Sequence, residues 1–151
     1  MPLGEVNIVR TATIDYGRQG LSEMHSKGNW PRILLVEDSE DNRFMMKRLL
    51  EMSGYEVLEA DNGELAVNMA QVMRPDLILM DLSLPRVDGL AATRRIRKLP
   101  ALKDVPIVVV SAHDTADFHA DALASGCNEY VTKPIDFGQL EVLLKRLAPT
   151  S

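Results

Sequence analysis

Between Arg32 and Leu147, short apolar runs alternate with segments of helical periodicity, and this alternation restricts the chain to a parallel sheet wrapped by helices. Ile33 to Val36 reads as a buried strand closed by acids. Asn42, Met45, Met46, Leu49, Leu50 and Ser53 then fall on one helical face until Gly54 ends it. Glu56 to Ala60 predicts a second strand, Asp61-Asn62-Gly63 a turn, and Leu65, Ala66, Met69, Ala70 and Met73 a second helical stripe stopped by Pro75. Asp76 to Met80 is the third strand, Leu90 to Lys98 the third helix, Pro106 to Val110 the fourth strand and Thr115 to Ser125 the fourth helix. A short fifth strand near Glu129 to Val131 and a last helix from Asp136 to Leu147 complete the series.

Three of these strands are apolar enough to be covered on both faces, as in a sheet with helices on either side. Right-handed crossovers are close to obligatory in such a sheet, and five strands favour the order 2-1-3-4-5. The expected fold is therefore α/β, a flavodoxin-like doubly wound sheet, over residues 31 to 149. Residues 1 to 30 read differently, as Gly4, Gly17, Gly20 and Gly28 punctuate a polar stretch without sustained period. A flexible extension is expected there, with a short strand around Val6 and Ile8 as the alternative and Met24 as a second candidate start.

Charge and cysteine content narrow the function classes. The net charge of −5 repels phosphate backbones and argues against a nucleic-acid partner. The single Cys127 cannot form an internal disulfide, which fits a reducing compartment, and a cytoplasmic protein is expected. Runs such as Ile107 to Val110 are too short to cross a bilayer, no targeting signal is visible, and no membrane partner is expected.

In an open sheet of this order, ligands bind at the carboxyl ends of the strands where the winding reverses, here between strands 1 and 3. Strand 1 ends in Glu37-Asp38 and strand 3 in Asp81, so separate parts of the chain bring carboxylates into one crevice. Like charges at close range need a cation or a proton. Mg2+ suits them, because it takes oxygen ligands, keeps several waters and commonly joins one or two carboxylates to a phosphate oxygen. Strand 4 ends in Ser111 and strand 5 leads into Lys133-Pro134, which add a hydroxyl and an ammonium. A carboxylate can act as a nucleophile that forms an acyl phosphate, and phosphoryl transfer needs mainly alignment and charge neutralisation.

Four segments, ILLVEDSEDN, LILMDLSLPRVDG, VVVSAHD and YVTKP, together resemble the response-regulator receiver domain over about residues 31 to 148. The resemblance implies that Asp81 is phosphorylated, that Asp38 binds the metal directly and Glu37 through water, and that the Ser83 carbonyl completes the protein ligands. It implies a switch pair, Ser111 and Tyr130, in which the hydroxyl moves to the phosphoryl group and the aromatic ring turns inward. Lys133 would contact the phosphoryl oxygens across a cis Lys133-Pro134 bond. Ser83 and His113 resemble the variable positions that gate the attacking water and so tune the acyl-phosphate lifetime. The departure from the family pattern is mild: Glu37-Asp38 replaces a pair of aspartates. The implied partners are a histidine kinase or histidine phosphotransfer protein as donor and a protein target downstream. Because no output domain follows the receiver, a stand-alone receiver, monomeric or weakly dimeric, is expected, and a piece of a hybrid kinase is the alternative.

Other residues admit ordinary readings. An isolated Asp81 would be a helix cap or loop acid, and Tyr130 could pack its ring on the last helix. Pro85 and Gly89 are read as shaping the turn after strand 3. His25, His113 and His119 lack ligand spacing with any cysteine. Arg94, Arg95, Arg97 and Lys98 are read as a solvated helix face. Phe44 lies off the inward stripe, where it either docks a phosphodonor helix or is a single exposed apolar residue. Cys127 and the methionines at 45, 46, 69 and 73 are read as packing. A haloacid-dehalogenase-type phosphohydrolase would need a second acid where the chain has Ser83, and the acidic EDSED loop would repel a flavin phosphate. The nearer rival is a receiver-like adaptor that binds without being phosphorylated. No enzymatic turnover is expected beyond the domain's own phosphorylation and dephosphorylation.

Overall fold

A computed structural model of the chain describes residues 29–82 and 87–150. Most of the expected extension over 1–30, with Val6, Ile8 and Met24, lies outside the described residues, as do His25, Ser83 and Pro85. The elements are β1 (Arg32–Val36), α1 (Glu40–Met52), β2 (Glu56–Ala60), α2 (Gly63–Met73), β3 (Leu77–Leu82), α3 (Val87–Arg97), a 3-10 turn (Pro100–Leu102), β4 (Ile107–Ser111), α4 (Ala116–Ser125), β5 (Glu129–Thr132) and α5 (Phe137–Leu147). All strand pairs are parallel, in the order β2-β1-β3-β4-β5. This is the expected doubly wound sheet.

Alternate strand residues feed two cores, as a period of two dictates. Ile33, Leu35, Leu77, Leu79, Val108 and Val110 meet Met46 and Leu50 of α1 and Leu140 and Leu144 of α5. Leu34, Ile78, Met80 and Val109 face the other way, onto Ala66 and Ala70 of α2, Ile96 of α3 and Ala122 of α4. Small alanines on that second side let helices approach the sheet closely. Burial of this apolar area is the main favourable term in folding.

Helix starts are set by side chains at the rim. Ser39, Asn62, Thr115 and Asp136 each accept a hydrogen bond from the backbone N–H three residues on, at 2.8 to 3.3 Å. Each cap satisfies a donor that the first helical turn leaves unpaired. Four helices therefore begin on the edge of the sheet where the strands end, and the loops that carry the site are held from both sides.

Several details differ from the sequence expectation. Strand β3 continues through Asp81 to Leu82, because Asp81 pairs with Val110 and Leu82 with Ser111 in the ladder. Helix α3 begins at Val87 rather than Leu90, so Gly89 lies in its first turn instead of shaping the turn before it. A Cβ there would come within 2.5 Å of Leu82 Cδ2, so glycine serves close packing of α3 on β3. Met45 and Leu65 are 55% and 40% exposed, whereas their neighbours Met46 and Ala66 are buried. Adjacent helical residues point about 100° apart, so the inward stripe cannot hold both members of either pair.

Arg97 overturns the reading of its basic run as wholly solvated. Its Nε donates to the Gly126 carbonyl at 2.8 Å, Nη1 to the Leu102 carbonyl at 3.1 Å and Nη2 to Asn128 Oδ1 at 2.7 Å. Asn128 Oδ1 also accepts from the Ile107 N–H at 2.8 Å. One guanidinium thus ties the end of α3 to the end of α4 and the start of β4. Gly126 has φ of 110°, a left-handed value that glycine adopts without cost, and it ends α4. Arg94 and Arg95 remain exposed. Replacing Arg97 by lysine, which lacks the planar fork, is expected to destabilise the fold by about 1–3 kcal/mol, while Arg94→Lys leaves it unchanged; urea unfolding of both variants measures the difference.

Candidate functional site

The winding reverses between β1 and β3, and the acids gather there. Asp81, on β3, is 5% exposed, and Glu37, directly after β1, is 1% exposed. Asp38 follows at the exposed rim. With Asp61, these three residues line one cavity of about 20 Å³, enough for a single water-sized occupant. Asp61, from the β2–α2 turn, is an acid that the sequence reading did not place here.

Asp81 also borders a larger hollow of about 280 Å³, lined by Asn42, Met45, Met46, Lys133, Pro134 and Ile135 as well. Phe44, expected beside the crevice, is 61% exposed, with the Arg48 guanidinium 5.8 Å from its ring. Met45 borders the hollow together with Asn42 and Met46 of α1, so its exposed side chain lies at the site instead of in the core.

Lys133 supplies the positive charge. Its Nζ lies 2.9 Å from Asp81 Oδ1, close enough for an ion pair but without the alignment of a hydrogen bond. The Lys133 backbone N–H donates to the Ser111 carbonyl at 2.9 Å, which fixes the start of the β5–α5 loop against β4. The Lys133-Pro134 bond is cis, as expected.

Glu37 is pinned at almost every polar atom. Its N–H donates to the Ala60 carbonyl at 3.0 Å, and its own carbonyl accepts from Arg43 Nη1 at 2.9 Å. Oε2 accepts from the Ser39 N–H at 2.7 Å. Oε1 is buried with no hydrogen-bond partner. Burial above all, with the nearby charge of Asp81 and the contact with Asp38, raises the Glu37 pKa to about 7, against the pull of the Ser39 N–H and of Lys133.

Glu37 Oε1 is therefore a buried carboxylate oxygen without a hydrogen-bond partner, and Asp81 Oδ1, ion-paired with Lys133, accepts no hydrogen bond either, in a cavity lined by four acids. That donor set fits a hard divalent cation such as Mg2+. Among the described residues no three acidic, imidazole or thiol side chains are grouped to ligate one ion together. An ion that keeps most of its waters and takes a backbone carbonyl is compatible with that spacing. The carbonyl expected in this role, that of Ser83, lies outside the described residues.

Ser111 is fully buried, and its Oγ accepts from the His113 N–H at 3.1 Å. The Tyr130 hydroxyl donates to the His113 carbonyl. The two expected switch residues are thus joined through the backbone of His113, a link that leaves no trace in the sequence. The Tyr130 ring lies 4.0 Å from the His119 ring and 6.0 Å from Phe118, while His113 stacks on Phe118 at 5.1 Å between ring centroids. Tyr130 is therefore held by α4, rather than packing only on the last helix. Cys127 is buried, as expected.

The family model for the response regulator receiver domain matches residues 33–145. The chain belongs to that family. Receiver domains are the signalling modules of two-component response regulators, and relatives of this one include small proteins of similar length. The polar-differentiation response regulator DivK of Brucella anthropi is 38% identical over 103 residues, covering 68% of this chain and 84% of DivK. Protein PilH of Pseudomonas aeruginosa is 34% identical over 116 residues, covering 77% of this chain and 93% of PilH. Among solved structures, the receiver domain of the Pseudomonas aeruginosa sensor histidine kinase PA1611, determined with a magnesium ion in its active-site cleft, matches with a TM-score of 0.72 and 36% identity, over 80% of this chain and 99% of that domain. Among the described residues of this receiver domain no helix is long and apolar enough to cross a membrane.

The perturbed acid gives the metal-free receiver domain a pH signature. A carboxyl whose folded pKa lies above its unfolded value stays protonated in the native state after the unfolded chain has released its proton. Stability without divalent cation is accordingly expected to fall as pH rises from about 4.5 to about 7 and then to level off. Glu37→Gln is expected to flatten this decline in thermal melts recorded across that range.

Proposed function

We propose that Asp81 accepts a phosphoryl group from a phosphohistidine on a histidine kinase or histidine phosphotransfer protein, and that the acyl phosphate signals by changing protein contacts. The observation that carries this reading is the nearly buried Asp81 carboxylate, set 2.9 Å from the Lys133 ammonium and lining two hollows. An Asp81 oxygen attacks phosphorus, the phosphorus–nitrogen bond breaks, and the donor imidazole leaves. Bound Mg2+ would neutralise charge on the phosphoryl oxygens and align them; Glu37, Asp38, Asp81 and the Ser83 carbonyl are the residues to hold it.

This chain's own groups do the rest. Lys133 compensates the added negative charge without giving up a proton. The Ser111 hydroxyl, now an acceptor from the His113 N–H, turns to donate to a phosphoryl oxygen. That change loosens the His113 backbone and with it the hydrogen bond that fixes Tyr130. The affected groove of about 310 Å³ is lined by Tyr130 and Thr132 of β5 and by Gln139 and Leu143 of α5. We assign output to this face with α4, through contact with a protein target, in a two-state switch whose balance phosphorylation shifts.

The unit that acts is residues 31–149, as a monomer or weak dimer in the cytoplasm, with no turnover beyond its own phosphorylation and dephosphorylation. By their positions two residues beyond Ser111 and Asp81 in the sequence, His113 and Ser83 are the residues proposed to set the lifetime of the acyl phosphate.

Incubation with acetyl phosphate and Mg2+, followed by intact-mass measurement, is expected to show one added phosphoryl group that Asp81→Asn removes. Lys133→Met is expected to slow the addition on the order of a hundredfold. A phosphoryl group that survives Asp81→Asn, or none on the unaltered protein, would favour a receiver-like adaptor acting by binding alone.

A further inference from the structure

We infer that Arg43 is a positioning residue for the cation site, holding the peptide between Glu37 and Asp38 in the orientation that divalent-ion binding requires. This inference rests on the proposed assignment of Glu37 and Asp38 to the cation.

Arg43 lies in the first turns of α1, where a sequence reading gives it no role. Its side chain is only 19% exposed and runs inward to two acceptors. Nη1 donates to the Glu37 carbonyl at 2.9 Å, and Nε meets Glu59 Oε1 at 3.2 Å. Lys47 Nζ holds the other oxygen of Glu59 at 2.9 Å. The guanidinium therefore spans from strand β2 to the turn after β1, while its own backbone stays on α1.

The Glu37 carbonyl belongs to the peptide that leads into Asp38. With that carbonyl held by Arg43 and the Glu37 N–H held by Ala60, the peptides on both sides of Glu37 are fixed. Oε2 accepts from the Ser39 N–H, while Oε1 is buried without a hydrogen-bond partner, and Glu37 lines the cavity. Release of the carbonyl would let the Glu37-Asp38 peptide rotate and carry the rim acid with it. Groups that orient metal ligands in this way commonly change metal affinity when removed.

Charge and geometry predict opposite signs here, which makes the inference testable. Arg43 is a cation close to a cation site, so by Coulomb repulsion alone its removal should tighten Mg2+ binding. As a positioning residue, its removal should weaken binding. Lys47 shares the Glu59 partner, whereas the hydrogen bond to the Glu37 carbonyl comes from Arg43, and Lys47 serves as the control.

Mg2+ titration by calorimetry on the full chain, with thermal melts of the same variants, provides the test. Arg43→Gln is expected to weaken Mg2+ affinity about tenfold, and Lys47→Gln to leave it equal or slightly tighter. Arg43→Lys keeps the charge without the fork and is also expected to weaken binding, which covers the case in which Arg43→Gln does not fold. The inference is overturned if Arg43→Lys binds Mg2+ as the unaltered protein does, or if Arg43→Gln binds it as well or better. Absence of Mg2+ binding by the unaltered protein would instead overturn the proposed cation site.

Discussion

Everything at the rim of this sheet answers to one electrostatic condition: carboxylates drawn out of water on adjacent strands need positive partners. The order of the strands creates the condition by placing β1 beside β3, so that Glu37 and Asp81 share a crevice. Lys133 answers it in part, at 2.9 Å from Asp81. Glu37 answers it by holding its proton up to about pH 7, chiefly because it is buried. The proposed cation would relieve both acids at once. The helix caps, the hydrogen bond from the Lys133 N–H to the Ser111 carbonyl and that from Arg43 to the Glu37 carbonyl fix the backbone around these groups.

A second feature links Ser111 of β4 to Tyr130 of β5. Ser111 accepts from one side of the His113 backbone and Tyr130 donates to the other. In the proposed switch, a change at the buried hydroxyl would need to pass through only one residue to reach the tyrosine. Because the Tyr130 ring also rests against His119 and Phe118, its position is bound to that of α4. The connection is a chain of direct contacts, and each link has a partner it can lose.

The fold was legible because the three central strands are continuous apolar runs, and because residues 39, 62, 115 and 136 are natural helix caps. That Asp81 and Lys133 would meet was legible because each stands at or just past the end of a strand in an arrangement that gathers strand ends. What was hidden depended on tertiary partners. Arg97 looked like its exposed neighbours Arg94 and Arg95, since nothing in a basic run tells which side chain will find three acceptors across the fold. Arg43 was silent for the same reason. The inward face of α1 was misread by one position, because apolar residues at 45 and 46 satisfy helical spacing equally well. The His113 bridge uses only backbone atoms, which any residue supplies.

Two hollows of very different size share Asp81 as a lining residue. The narrow one is lined also by the acids Glu37, Asp38 and Asp61, the wide one by Lys133, Met45 and Ile135. Size alone would therefore sort what can reach that side chain through each of them.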